Sequence, residues 1–310
     1  MKKISLTIAA CFIAVVIYSQ VNGYYTPDPV GMVFVPMGSF EMKYINKTDT
    51  VKKIVSVQAF YMSQEITNRE YRAYANDILK HPADSLCWID WSKMPKNNLP
   101  MKNKDASMFR TGVSYSDVAK DIIDTNIWQN EFNNNKEVKA LYQHYFSDPA
   151  FDSYPVLGVS YKQATYYCIW KTTQINNSNK ATGKQFVNDY RIPTEEEWMY
   201  VASQKQDGKT KANDNKLKVT VNEKKTSLDN PIELFPAAGG KANDWGLYHL
   251  SDNVSEWVSN YSSINTSNSK TICGGSWKGN KSFSERNLLD QNAKTNYTGF
   301  RIVQTYLGTK

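Results

Sequence analysis

Gly246-Leu-Tyr-His-Leu-Ser-Asp-Asn-Val-Ser-Glu-Trp257, Cys273-Gly-Gly-Ser-Trp277 and Gly299-Phe-Arg-Ile302 are the blocks on which the reading of this chain turns. Trp257 and Trp277 read as core aromatics. Gly274 and Gly275 read as backbone requirements: a positive φ, or an approach by another segment too close for a Cβ. Cys273, just ahead of them, reads as a partly buried strand residue.

Working towards the N-terminus, three short motifs set helix starts. Thr67-Asn-Arg-Glu70, Ser160-Tyr-Lys-Gln163 and Thr194-Glu-Glu-Glu197 each place a hydroxyl at an N-cap and an acceptor three residues on. The helices they open are predicted to bury Tyr71, Tyr74, Ala75 and Leu79; then Ala164, Cys168 and Trp170; then Trp198, Val201 and Ala202. The run Glu195-Glu196-Glu197 is explained by its position, since carboxylates at a helix start offset the macrodipole. Met32–Pro36 and Val55–Phe60 read as strands joined by a polar, hairpin-like stretch. Residues 88–149 read as an irregular insert, and 204–230 as a Lys-rich solvated loop. No internal repeat and no Pro/Gly linker divides the chain. The expectation is one α+β domain with much irregular structure.

The 310 residues are 41% hydrophobic and 13% aromatic, enough for a sizeable core. The net charge of +7 falls to about +5 if Lys2 and Lys3 are removed with a leader. No dense Arg/Lys stripe with interleaved aromatics is present, which argues against nucleic acid as a partner. Met1-Lys2-Lys3 followed by the apolar run Ile4 to Tyr18 reads as a signal peptide, 1–19 (or to 23), leaving a mature domain 24–310. That run is shorter than the ~20 residues a spanning helix needs. Ile8-Ala-Ala-Cys11 offers an alternative, acylation at Cys11, although the residues after it are apolar where a tether is usually polar. Cys87, Cys168 and Cys273 cannot all pair, and their spacing fits neither a disulfide scaffold nor a zinc site. Cys168 is expected to be a buried, inert thiol. Asp49-Thr-Val51 and Asp84-Ser-Leu86 fit a short, degenerate O-glycosylation pattern.

The C-terminal blocks, with Met32-Val-Phe-Val-Pro-Met-Gly-Ser-Phe40, Glu65-Ile-Thr-Asn-Arg-Glu-Tyr71, Tyr154-Pro-Val-Leu-Gly-Val-Ser-Tyr161 and Tyr190-Arg-Ile-Pro-Thr-Glu-Glu-Glu-Trp198, resemble the formylglycine-generating (sulfatase-modifying-factor) domain family. The resemblance spans roughly Gly31 to Val303. It implies that family's irregular, loop-rich fold, which is similar to C-type lectins. Asp124-Thr-Asn-Ile-Trp128 and His144-Tyr-Phe-Ser-Asp-Pro-Ala-Phe-Asp-Ser-Tyr-Pro155 resemble one branch, the gliding-motility and type IX secretion proteins GldK (PorK) and GldJ of Bacteroidetes. That branch implies a periplasmic, outer-membrane-associated ring subunit whose partners are other components of the same machinery.

The resemblance also tests for an enzyme. The family's two copper-binding cysteines fall at Gly279 and Ser284, neither of which supplies a thiolate. No copper and no oxidation of a substrate cysteine are therefore expected. His81, His144 and His249 are far apart in sequence and at no helical ligand spacing. The segment around Glu256 resembles the family's structural Ca²⁺ loop. The resemblance implies ligands from the Glu256 side chain, the carbonyls of Asp252 and Val254, and the side chain of His249, where the family usually has Asn. The alternative is that Glu256 and Asn253 bond loop backbone with no ion. Arg301 resembles the family's buried terminal Arg, with Glu196 or Glu256 as its partner. The function expected is a non-catalytic structural component of a cell-envelope assembly, with 88–149 as its contact surface. The alternatives are an exported enzyme with a rebuilt metal site, and a glycan- or protein-binding module.

Overall fold

The computed structural model describes residues 28–46, 49–89, 110–129, 131, 136–204, 234–259, 268–279 and 287–307. The leader, Cys11, Ser284 and nearly all of 204–230 lie outside them. Small sheets, a few helices and long connections make a mixed α+β domain.

The first sheet has the order β1-β4-β12-β7, from β1 (Met32–Val35), β4 (Phe60–Ser63), β12 (Val303–Thr305) and β7 (Tyr190–Arg191). The second has the order β10-β9-β8-β11, from β10 (Asn287–Asp290), β9 (Ser269–Cys273), β8 (Ser255–Trp257) and β11 (Thr298–Gly299). Strands β8 and β11 run parallel. The chain passes from β11 to β12 through Phe300-Arg301-Ile302, so these residues link the two sheets.

The polar stretch expected to be a simple hairpin connection is itself a long antiparallel ribbon, β2 (Gly38–Asn46) with β3 (Asp49–Val57). The expected strand Val55–Phe60 is broken at Gln58-Ala59, where the chain leaves the ribbon and enters β4. The ribbon lies over helix α5 (Glu195–Ala202) and buries Met42, Val57 and Tyr200 with Trp198. Gly38 is required there, because a Cβ would stand 2.2 Å from the Tyr200 hydroxyl.

All three expected capping boxes are formed, at α1 (Asn68–Lys80), α4 (Tyr161–Ala181) and α5. Each satisfies orphan helix N–H groups and fixes where the helix begins. Helix α1 buries Tyr71, Tyr74, Ala75 and Ile78, while Leu79 is 58% exposed. The face set by Tyr71 and Tyr74 reaches position 78 after one more turn, and Leu79 has rotated off it by about 100°. Tyr71 stacks on Tyr167 of α4 at 5.7 Å, and Phe300 meets both rings edge-on. Such aromatic pairs contribute about 0.5–1.5 kcal/mol each beyond their buried area. Cys168 is buried in the same cluster, and burial pushes its thiol pKa up.

Between 88 and 149 the chain is more regular than expected. Strand β5 (Ser85–Ile89) pairs with β6 (Arg110–Ser114), and α2 (Tyr115–Ala119) and α3 (Lys136–Tyr142) follow. Trp128, Tyr142 and Tyr145, expected to face a partner, are buried against Phe151, Tyr154 and Leu234. Their rings lie 4.6–6.1 Å apart and form a small core of their own.

Candidate functional site

The loop Gly246 to Asn253 is shaped by left-handed residues. Gly246 has φ 84°, and the non-glycines His249 and Asn253 have φ 56° and 60°. A non-glycine residue held there is uncommon and persists only when its surroundings fix it. Asn253 is fixed from three sides. Its Oδ1 accepts from the Phe235 N–H at 2.9 Å, and its Nδ2 donates to Glu65 Oε2 at 2.7 Å and to the Phe235 carbonyl at 3.3 Å. Its own carbonyl accepts from the Trp277 N–H. His249 is stacked on Phe235, with Nδ1 2.9 Å from Asp252 Oδ1 and Nε2 3.2 Å from the Pro236 carbonyl.

Under this loop lies a fully buried ion pair. Arg301 Nη2 donates to Glu256 Oε1 at 2.5 Å and Arg301 Nε to Oε2 at 2.6 Å. Trp198 Nε1 donates to Oε2 at 2.7 Å, and further Arg301 N–H groups reach the carbonyls of Ser63 and Tyr248. Burial alone would lower the Arg301 pKa. The Glu256 carboxylate, the hydrogen bonds to it and the nearby Glu65 outweigh that and hold it above its ordinary value. Of the two carboxylates read as partners, Glu256 is the one used. The fork-to-fork geometry ties β8, the β4 exit and α5 to the link between the sheets.

This arrangement decides how the expected calcium ligands stand. Both Glu256 oxygens already face Arg301, His249 is turned to Asp252 and Pro236, and Val254 is completely buried. A dication wants six to eight oxygens and would sit here beside a guanidinium. As placed, the Glu256 and His249 side chains are committed to protein partners. Asn253 does bond loop backbone, as the alternative reading had it, whereas Glu256 bonds side chains. Among the described residues no group of three or more His, Cys, Asp or Glu is placed to hold a metal. His81 lies at the C-terminal end of α1 against Asp77, and His144 beside Gln143.

Glu65 opens the block Glu65-Ile-Thr-Asn-Arg-Glu-Tyr71, whose pattern alone gives it no role. It is 1% exposed, at the exit of β4, and burial followed by repulsion from Glu256 raises its pKa well above the usual carboxylate value. Arg301 and the Asn253 amide offset part of that rise, while Asp252 adds to it. The signal available in the sequence was a carboxylate between the apolar run Phe60-Tyr-Met62 and the Thr67 N-cap.

Gly279 stands where the resemblance puts the family's first copper-binding cysteine. Its N–H donates to the Ser276 carbonyl at 2.9 Å, closing a tight turn. Around that turn Trp277 stacks on Trp128 at 5.6 Å, and its Nε1 donates to the Asn296 carbonyl at 2.7 Å. Lys278 pairs with Glu131 at 2.7 Å. Cys273 is 2% exposed in β9. The described part of this region holds packed indoles, an ion pair and a backbone turn.

A family model described as the sulfatase-modifying factor enzyme 1-like domain matches residues 21–306. No curated protein matches the chain in sequence. Among solved structures, the crystal structure of CarF is 16% identical, covering 90% of this chain and 99% of its own with a TM-score of 0.49. PvdO from Pseudomonas aeruginosa is 18% identical, covering 89% and 94%, with a TM-score of 0.45. Treponema denticola variable protein 1 is 13% identical, covering 89% and 95%, also with a TM-score of 0.45.

Proposed function

We propose that this chain, which belongs to the sulfatase-modifying factor enzyme 1-like domain family, is a non-catalytic structural component of a bacterial cell-envelope assembly. Gly279 carries the reading. At the position where the family resemblance calls for the first thiolate, the chain has a hydrogen-bonded turn residue with no side chain. Soft-metal oxidation chemistry needs a thiolate ligand there. The second position, Ser284, has the wrong side chain for that chemistry in the sequence itself.

On this reading the fold is used as a rigid block. The gliding-motility and type IX secretion branch supplies the assembly, on the strength of the 124–128 and 144–155 segments. The protein is exported by its leader, acts in the periplasm close to the outer membrane, and works as a homo- or hetero-oligomer with other secretion components. No helix among the described residues is long and apolar enough to cross a membrane. Because Trp128, Tyr142 and Tyr145 are turned inward, this reading places the contact surface elsewhere. The edge strand β1 is the better candidate, where Phe34 is 44% and the following Met37 73% exposed.

The test is affinity capture of the tagged chain from its native envelope in mild detergent, with mass spectrometry of bait and co-purifying chains. Stoichiometric secretion or gliding components are the expected result. A monodisperse monomer carrying copper or iron would overturn the proposal.

A further inference from the structure

The β2–β3 ribbon has two unlike faces. Phe40, Met42, Val55 and Val57 form the inner one and pack over α5. Cross-strand register sets three pairs on the outer one: Ser39 with Ser56, Glu41 with Ile54, and Lys43 with Lys52. Every residue of these three pairs is exposed, and Ile54 is 69% exposed.

The charges on this outer face are arranged at a cost. Lys43 and Lys52 stand directly opposite one another, a destabilising placement for like charges in a sheet. Glu41 Oε1 lies 3.2 Å from the Lys43 ammonium and 4.0 Å from that of Lys52, so one carboxylate serves two cations. The sequence from 41 to 54 carries Lys43, Lys47, Lys52 and Lys53 against Glu41 and Asp49, a net +2. Ile54 alone would be an ordinary exposed aliphatic residue. Here it shares a face with the opposed lysines.

That combination selects the partner. The positive charge calls for an anionic surface. An acidic peptide or polysaccharide offers negative groups but no apolar layer behind them for Ile54. A bilayer with anionic headgroups offers both, phosphates outside and hydrocarbon beneath. Lysine suits that boundary, because its stem lies in the apolar layer while its ammonium reaches back to the headgroups.

We infer that the outer face of the β2–β3 ribbon is a docking surface for an anionic membrane, with Lys43 and Lys52 against headgroup phosphates and Ile54 at the acyl boundary. The inference does not rest on the scaffold reading, since it concerns how the domain is held at a surface rather than what it does there.

The experiment is vesicle flotation of the whole mature chain. The vesicles are phosphatidylcholine alone, or phosphatidylcholine with about one third phosphatidylglycerol. At about 0.1 M salt the chain is expected to partition at least about tenfold better onto the anionic vesicles, and to lose most of that preference at about 1 M. Each lysine at an anionic surface contributes about fivefold, so Lys43→Gln with Lys52→Gln should weaken partitioning at least about tenfold. Ile54→Ser should weaken it about threefold or more. These side chains lie outside the packing over α5, so the variants keep the fold. The charge-matched control, Lys180→Gln with Lys184→Gln, changes two exposed lysines near the C-terminal end of α4 and should stay within about twofold of the parent. The inference is overturned if the chain ignores anionic vesicles or if the ribbon double variant partitions like the parent. It is also overturned if the control loses as much, which would assign the effect to net charge. Unchanged partitioning of Ile54→Ser, or soluble polyglutamate displacing the chain from the vesicles, would replace the membrane by an acidic polymer and overturn it too.

Discussion

Replacing Arg301 by Met tests the buried pair directly. Both partners are 0% exposed, so Glu256 would keep Trp198 as a donor but lose its counter-ion in a dry site beside Glu65. Removing one member of a buried pair costs about 3–5 kcal/mol, because the remaining charge is left uncompensated. For a domain of this size that is a fall in Tm of roughly 6–20 °C. The double variant Arg301→Met with Glu256→Gln removes both charges and leaves an amide oxygen for the Trp198 N–H. It should recover at least about half of the loss, since neutral replacements of whole buried pairs are often tolerated. Urea and thermal denaturation of the two single variants, the double variant and the parent close the cycle. A loss below about 1 kcal/mol for Arg301→Met, or a double variant equal to the sum of the singles, would refute the reasoning.

Other perturbations have equally definite outcomes. Glu65 has a folded-state pKa above its ordinary value of 4.5, so the folded state holds more protons than the unfolded state above that value. Its stabilising contribution is therefore fully present below about pH 4.5 and is lost as pH rises towards the folded pKa. Glu65→Gln should flatten that part of the stability curve, and a parallel curve from denaturation at several pH values would contradict the assignment. Gly158 has φ 77°, and a Cβ there would stand 2.2 Å from the Asp124 carbonyl, whereas Gly183, at φ 67°, faces open space. Gly158→Ala should cost at least about 2 kcal/mol and Gly183→Ala about 1, measured by chemical denaturation. Cys87 is exposed while Cys168 and Cys273 are buried. In a chain without Cys11, a thiol reagent should modify Cys87 alone under native conditions and all three in denaturant, as read by intact mass.

The legible parts of this fold were those written in local chemistry. A hydroxyl and a carboxylate or amide three residues apart fix a helix start without help from distant residues, which is why Thr67, Ser160 and Thr194 could be assigned. The Arg301 partner narrowed to two carboxylates but no further, because the choice depends on how β8 sits against the link between the sheets. What escaped was decided by tertiary packing. The β2–β3 ribbon alternates Phe40, Met42 and Tyr44 with Glu41 and Lys43, but only the fold shows that it packs as a roof over α5. The insert's aromatics gave the composition of a contact surface, yet Trp128, Tyr142 and Tyr145 pack on one another. Glu65 was hidden because a carboxylate in a loop ordinarily means solvent, and only the fold shows that it is buried.

The position of β12 has a consequence for how the protein comes into being. This strand lies inside its sheet, between β4 and β7, and Ile302 bonds Ser63 across 239 residues of chain. Without the segment from Phe300 onward the molecule has neither that strand nor the guanidinium beneath the loop. The first sheet therefore closes only when this segment is in place, however early its other strands form. A copy truncated after Gly299 is then a chain that never completes its fold, rather than one with a frayed end.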